Sequence, residues 1–206
     1  MKMLTSVLLL SMLPFFGIGL IVEPTAAPLQ NRPDPEQEIR QLLDSRDEQI
    51  KELIGPAGTE YTDDRREQIK TVINEIVSYR AMANTALGDT WTQITSEHRE
   101  EFVDYFSTTI REHSMSNLDI YRAEVTYENV EVSGERAIVE TETRLDNVRT
   151  PVNYLMEKSE ENWLITDIVV DGVSTAESYH RQFQSIIRQH GFDALLDNLR
   201  RRAART

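Results

Sequence analysis

Trp163-Leu164-Ile165-Thr166-Asp167-Ile168-Val169-Val170-Asp171-Gly172-Val173-Ser174 reads as a strand that stops and hands over to a helix. Trp, Ile and Val crowd positions 163–170, the composition of a pleated, packed surface. The run is apolar on both sides of its two-residue period, so both faces call for cover. Asp171-Gly172 ends it. Ser174 then stands where a helix N-cap belongs, and Glu177, three residues on, completes a capping box. Tyr179 and Gln182-Phe183 lie on the helix that follows. It runs to His190, and Gly191 is placed as its C-cap glycine.

Working back from Trp163, the chain keeps the period of two. Ser159 to Asn162 is a turn and Pro151 to Lys158 a strand. Asp146-Asn147 turns the chain again after a strand from Ala137 to Leu145. Before Ser133-Gly134, the residues Val125, Tyr127 and Asn129 alternate with Thr126, Glu128 and Val130. Four closely spaced strands predict an antiparallel meander. Further upstream the period is helical. Asp34-Pro35 opens a helix with Ile39, Leu42, Leu43, Ile50, Leu53 and Ile54 on one stripe, closed by Gly55-Pro56. A second helix is expected from about Asp63 to Leu87-Gly88. A third is capped by Thr95 or Ser96 and carries Phe102, Tyr105, Phe106 and Ile110. Beyond Gly191, Phe192 to Arg202 is a last helix with Leu195, Leu196 and Leu199 inward. Helices, then a sheet, then closing helices make one α+β domain: a twisted antiparallel four-stranded sheet wrapped by helices around a cone-like apolar interior.

The chain has 206 residues, a net charge of −13 and no Cys, with a pI of about 4.8. Lys2, the uncharged run from Met3 to Val22 and the small residues ending at Ala27 read as a secretory signal over residues 1–27. An uncleaved anchor is the rival reading, although Pro14, Gly17 and Gly19 interrupt the run. Residues 28–33 are a Pro-containing linker and 34–206 the domain. Without Cys, the domain rests on its core alone and has no thiol chemistry. The acidic balance argues against nucleic acid as a partner and against anionic membrane surfaces. Arg200, Arg201, Arg202 and Arg205 form one basic patch, suited to the C-terminal end of a helix.

Catalytic constellations are missing from the sequence. It has no Gly-rich phosphate loop, no G-x-S-x-G elbow and no paired His at zinc spacing among His98, His113, His180 and His190. No cofactor or metal is expected. Asp167, alone in an apolar strand, is the one carboxylate that burial could turn into a general base. A structural carboxylate that receives backbone hydrogen bonds is the competing reading.

Three stretches carry a resemblance. The first is Met82, Leu87-Gly88, Trp91 and Thr95-Ser96-Glu97 with the Phe102/Phe106 helix. The second is Leu118 and Tyr121. The third is Val152-Asn153-Tyr154 with Trp163, Asp167, Gly172-Val173-Ser174, Tyr179, Gln182-Phe183 and Gly191. In this order they resemble the MlaC family, periplasmic phospholipid-binding components of an ABC lipid-transport system, also described as the toluene-tolerance family. The resemblance spans about Glu67 to Leu199. Ser114 stands where the family often has Tyr, His180 where Arg is common, and the acidic charge is unusual.

The resemblance implies an NTF2-like cone of sheet and helices that holds the acyl chains of a glycerophospholipid. It also implies a periplasmic, non-enzymatic carrier between an outer-membrane lipoprotein complex and an inner-membrane ABC/MCE complex. A monomer is expected. The wall candidates are Met82, Leu87, Trp91, Phe102, Phe106, Ile110, Val139, Val152, Tyr154, Trp163, Ile165 and Val169. Two alternatives stay open. One is a small-molecule binder or enzyme of the hydrolase or isomerase kind on the same cone, with Asp167 and Tyr154 as polar groups. The other is a domain whose core is simply filled.

Overall fold

The computed structural model describes residues 34–160 and 162–205. The signal and linker expected over 1–27 and 28–33 lie outside them. Helix α1, Pro35–Ile54, starts where Asp34 accepts a hydrogen bond from the Glu36 amide at 3.2 Å, with Pro at its first position. It is followed by α2 (Asp63–Asn74), α3 (Tyr79–Leu87), the single turn α4 (Thr90–Gln93) and α5 (Ser96–Met115), then a 3-10 turn at Leu118–Arg122. The strands are β1 (Glu124–Ser133), β2 (Arg136–Leu145), β3 (Val148–Ser159), β4 (Asn162–Val170) and β5 (Val173–Ser174). Helices α6 (Thr175–His190) and α7 (Phe192–Ala203) close the chain.

Two expectations are corrected. The helix expected from Asp63 to Leu87 is two helices. Between them the backbone turns extended and bridges the outer edge of β4. The Ile165 amide donates to the Ile76 carbonyl at 2.7 Å and the Ser78 amide donates to the Ile165 carbonyl at 2.8 Å. An uncovered strand edge offers unpaired amides and carbonyls, and pairing them outweighs continuing a helix through the β-branched Ile76 and Val77. Ser78 then caps α3, accepting from the Ala81 amide. The sheet also has five strands among the described residues, in the order β1-β2-β3-β4-β5, every neighbouring pair antiparallel. The extra strand arises because Asp171 and Gly172 both take positive φ, 49° and 76°, the signature of a two-residue type I′ turn. That turn folds Val173 back onto Val170 before Ser174 caps α6.

Bulges interrupt β1 against β2 near Tyr127–Asn129, and β3 against β4 near Leu155–Met156. Bulges bend and twist a sheet, and here they flank its centre. On one face, the aligned pairs Val130–Val139, Val139–Tyr154 and Ala137–Met156 bring their side chains together. Ile39 and Leu43 of α1, with Ile76, pack against that face, along with Trp163 and Ile165. A second core joins α3, α5, α6 and α7 through Met82, Leu87, Phe102, Phe106, Phe183, Leu195, Leu196 and Leu199. A third, smaller one ties the second half of α1 to α2 and Leu118 through Ile50, Ile54 and Ile69. Gly88 ends α3 at φ 53°, and a Cβ there would sit 2.6 Å from His180 of α6. At this φ, and with the His180 ring so close, any other residue at this position would be strained.

Candidate functional site

The face of the sheet that carries Tyr154 is covered unevenly. At one end Ala137, Val139, Met156, Trp163 and Ile165 are buried beneath the first half of α1. Glu38 of α1 reinforces that end, meeting Lys158 at 3.0 Å and accepting from the Trp163 indole Nε1 at 3.4 Å. Toward the other end, Tyr127, Val152, Tyr154 and Ile168 are only half-buried. At the rim Val170 is 42%, Val173 54% and Val148 65% exposed. The second half of α1 departs from the sheet to pack on α2 and Leu118. The result is an apolar trough, sealed at one end and uncovered at the other.

Phenols line it. Tyr127 of β1 and Tyr154 of β3 stand on this face by register, and Tyr121 of the 3-10 turn packs on the third core. Burial pushes Tyr154 up to about 12, and Asp47 and Tyr121 add to the rise. Burial likewise pushes Tyr121 up to about 12, against a hydrogen bond with Ser114 that lowers it. Tyr127 is raised by burial first and by Asp44 second. Tyr79 is raised by burial, partly offset by Arg111. Tyr121, Tyr127 and Tyr154 keep some accessible surface, while burial holds their phenols protonated well above the ordinary range. Neutral phenols give such a face hydrogen-bonding capacity without charge.

These shifts make stability fall at high pH. An unfolded phenol ionises near 10, whereas folded Tyr154 keeps its proton to about 12. The stability tied to the raised value is fully present below 10. It is lost as pH climbs toward 12, because only the unfolded chain has released the proton. Tyr154→Phe is expected to remove about 1.4 kcal/mol per pH unit of that loss. Urea melts of both proteins on either side of pH 10 measure it.

The twelve wall candidates divide. Val139, Val152, Tyr154, Trp163 and Ile165 belong to the trough face by register. Val169 pairs with Asn153 and shares the opposite face. Met82, Leu87, Phe102 and Phe106 are buried in the helical core, with Trp91 and Ile110 half-buried at its margin. There the rings interlock: Phe102 stacks on Phe106 at 5.5 Å, and Phe183 meets both edge-on at 5.7 Å. The phenol Tyr127 joins the site without having been singled out from the sequence. Tyr127 carried a usable signal, since period-two spacing puts it on the Val125 face.

Asp167 lies on the far face, paired with Leu155. It accepts from the Ile168 amide at 2.9 Å, the Ala176 amide at 3.0 Å and the Ser174 hydroxyl. These contacts commit the carboxylate to the N-terminus of α6 and turn it away from the trough. Among the described residues no group of three His, Asp or Glu side chains is placed to hold a metal ion. No helix among them is long and apolar enough to cross a membrane.

The family model described as MlaC protein matches residues 44–201 of this chain. Among solved structures, the chain is similar to a phospholipid-binding protein from Ralstonia solanacearum, determined in complex with a phospholipid. The two share 20% identity over 84% of this chain and 98% of that one, with a TM-score of 0.68. No curated protein sequence matches.

Proposed function

Since the chain belongs to the MlaC family, we propose that it is a phospholipid carrier whose trough takes the acyl chains. The observation that carries this reading is the half-covered part of the sheet face itself, where Tyr127, Val152, Tyr154 and Ile168 are only half-buried. A fold of this kind holds a phospholipid in the Ralstonia solanacearum protein. Of the twelve candidates, Val152 and Tyr154 are assigned to the open wall, and Val139, Trp163 and Ile165 to its sealed end beneath α1. Val169 and the interlocked helical residues support the wall from outside it.

The physical need for such a carrier is large. Each CH₂ moved from water to an apolar surface gains about 0.8 kcal/mol, so a chain of about 16 carbons bare in water costs on the order of 10 kcal/mol. A trough with uncharged walls removes that cost and requires no acid, base or metal. The carrier works in the periplasm, after export by the N-terminal signal. It passes lipid between an outer-membrane lipoprotein complex and an inner-membrane ABC/MCE complex and changes no covalent bond. With a net charge of −13, it is repelled by anionic bilayers, so loading and release fall to protein partners.

Protein purified from a Gram-negative host is expected to bring glycerophospholipid with it. Native mass spectrometry, followed by solvent extraction, detects it. Protein that is folded but free of lipid would sink this reading. A second measurement locates the ligand: Val152→Trp, which narrows the uncovered part of the trough, is expected to abolish lipid retention while the protein stays folded.

A further inference from the structure

Exposure falls along the trough face from one end to the other, and it falls in step on neighbouring strands. On β3, Val148 is exposed, Val152 and Tyr154 are half-buried and Met156 is buried. On β4, Val170 is exposed, Ile168 half-buried and Ile165 buried. On β1, the half-buried Val125 and Tyr127 give way to the buried Val130. The register aligns these changes: Val152 pairs with Val170, Tyr154 with Ile168, and Met156 with Ile165. Val139 of β2 stands between Val130 and Tyr154. Val139, Met156 and Ile165 cluster under Ile39 and Leu43 of α1 and close the trough as an end wall.

The wall is braced from behind. Trp163 lies further along β4, opposite Lys158, in the same cluster. Its indole Nε1 donates to Glu38 at 3.4 Å. Lys158 meets the same carboxylate at 3.0 Å and lies 5.5 Å from the centre of the indole ring. A fixed ring backs a layer that contains Met156, a side chain flexible enough to yield on its own. Beyond Trp163 is a pocket of about 440 Å³, whose lining includes Trp163 and Ile76 with Glu38, Arg46 and Glu75. Arg46 and Glu75 pair at 2.7 Å. A hydrocarbon chain that passed the wall would strip water from these charges and return no hydrogen bond.

Resting on the carrier reading above, we propose that this end wall selects lipids by acyl-chain length, with Val139, Met156 and Ile165 as the stop. The methyl end of the chain meets the wall, and the ester end stays at the exposed rim by Val148 and Val170. From Val148 to Tyr154 the strand advances about 20 Å at its usual rise. One leaflet's chains fill about 15 Å, half the hydrocarbon thickness of a typical bilayer. The trough therefore houses a chain of ordinary bilayer length and no more. Each further carbon leaves a methylene in water, which lowers uptake about fourfold.

The test offers the delipidated protein mixed phosphatidylcholine vesicles. They hold equimolar species with two identical monounsaturated chains, from about 14 to about 24 carbons, a range that brackets ordinary bilayers. Native mass spectrometry reads the bound species. Wild-type uptake is expected to be level up to about 18 carbons and then to fall about fourfold for each methylene left uncovered. Met156→Ala, which takes Cγ, Sδ and Cε out of the wall, is expected to raise the limit by about three carbons. Ile168→Trp adds bulk nearer the rim and is expected to lower it. Circular dichroism establishes that each variant is folded, and the wild-type series needs no variant. A wild-type profile with no limit, or a limit that folded variants leave in place, overturns the stop and leaves the carrier reading standing. Uptake of no phospholipid of any length overturns the carrier reading itself.

Discussion

Phe106→Ala is expected to lower the free energy of unfolding by about 3–5 kcal/mol, among the largest losses a single truncation produces. Phe106 is 0% exposed. It stacks on Phe102 at 5.5 Å, meets Tyr179 edge-on at 5.1 Å and Phe183 at 5.7 Å. Tyr179 and Phe183 belong to α6, so the ring couples α5 to the helix that follows the sheet. Removing it forfeits transfer free energy and opens a void that stacked, edge-locked neighbours cannot collapse to fill. Urea denaturation of wild type and variant measures the loss. The same comparison separates two roles for the helical cluster. If its rings are core, the loss is equal in delipidated and lipid-loaded protein. If they line the acyl path, bound lipid fills the void and the loss shrinks on loading.

Local chemistry decides which parts of the fold are legible in the sequence. The chain's punctuation is faithful: Asp34-Pro35, Thr95, Ser133-Gly134, Asp146, Ser174 and Gly191 each mark a structural boundary. Their side chains or positive φ angles act on their immediate neighbours, so no tertiary information is needed to place them. The break between Asn74 and Tyr79 is different. It forms because Ile165, about ninety residues away, offers an amide and a carbonyl that Ile76 and Ser78 satisfy. Strand β5 was missed for a different reason: Asp171-Gly172 favours the type I′ turn that returns Val173 to Val170, but a strand of two residues is too short to show a period. The wall candidates show the sharper limit. Composition gives Phe106 and Tyr154 the same claim to line a pocket. Register and the departure of α1 from the sheet leave Tyr154 half-covered and bury Phe106.

Asp167→Ala is expected to cost about 3 kcal/mol or more, although no cation pairs with the carboxylate among the described contacts. Asp167 is 6% exposed. One oxygen accepts from the Ile168 and Ala176 amides at 2.9 and 3.0 Å, and the other accepts from the Ser174 hydroxyl. Ser174 Oγ in turn accepts from the Glu177 amide at 3.0 Å. The carboxylate is thus the inner member of a two-tier cap, and its charge sits at the positive end of α6. Removing it strands the Ala176 amide in a buried position and unseats the serine that caps the next turn. Hydrogen bonds to charged groups contribute about 1.5–3 kcal/mol each, and unpaired buried donors add their own desolvation cost. Asp167→Asn keeps one acceptor oxygen and is expected to lose roughly half as much. Thermal or urea melts rank the three proteins. The lipid content of Asp167→Asn then decides between the carboxylate's two roles. Full lipid retention with reduced stability marks Asp167 as the clasp that holds α6 on the sheet. Normal stability with lost retention would instead make it a polar group of the ligand site, and would revive the reading of the cone as a binder of small polar molecules.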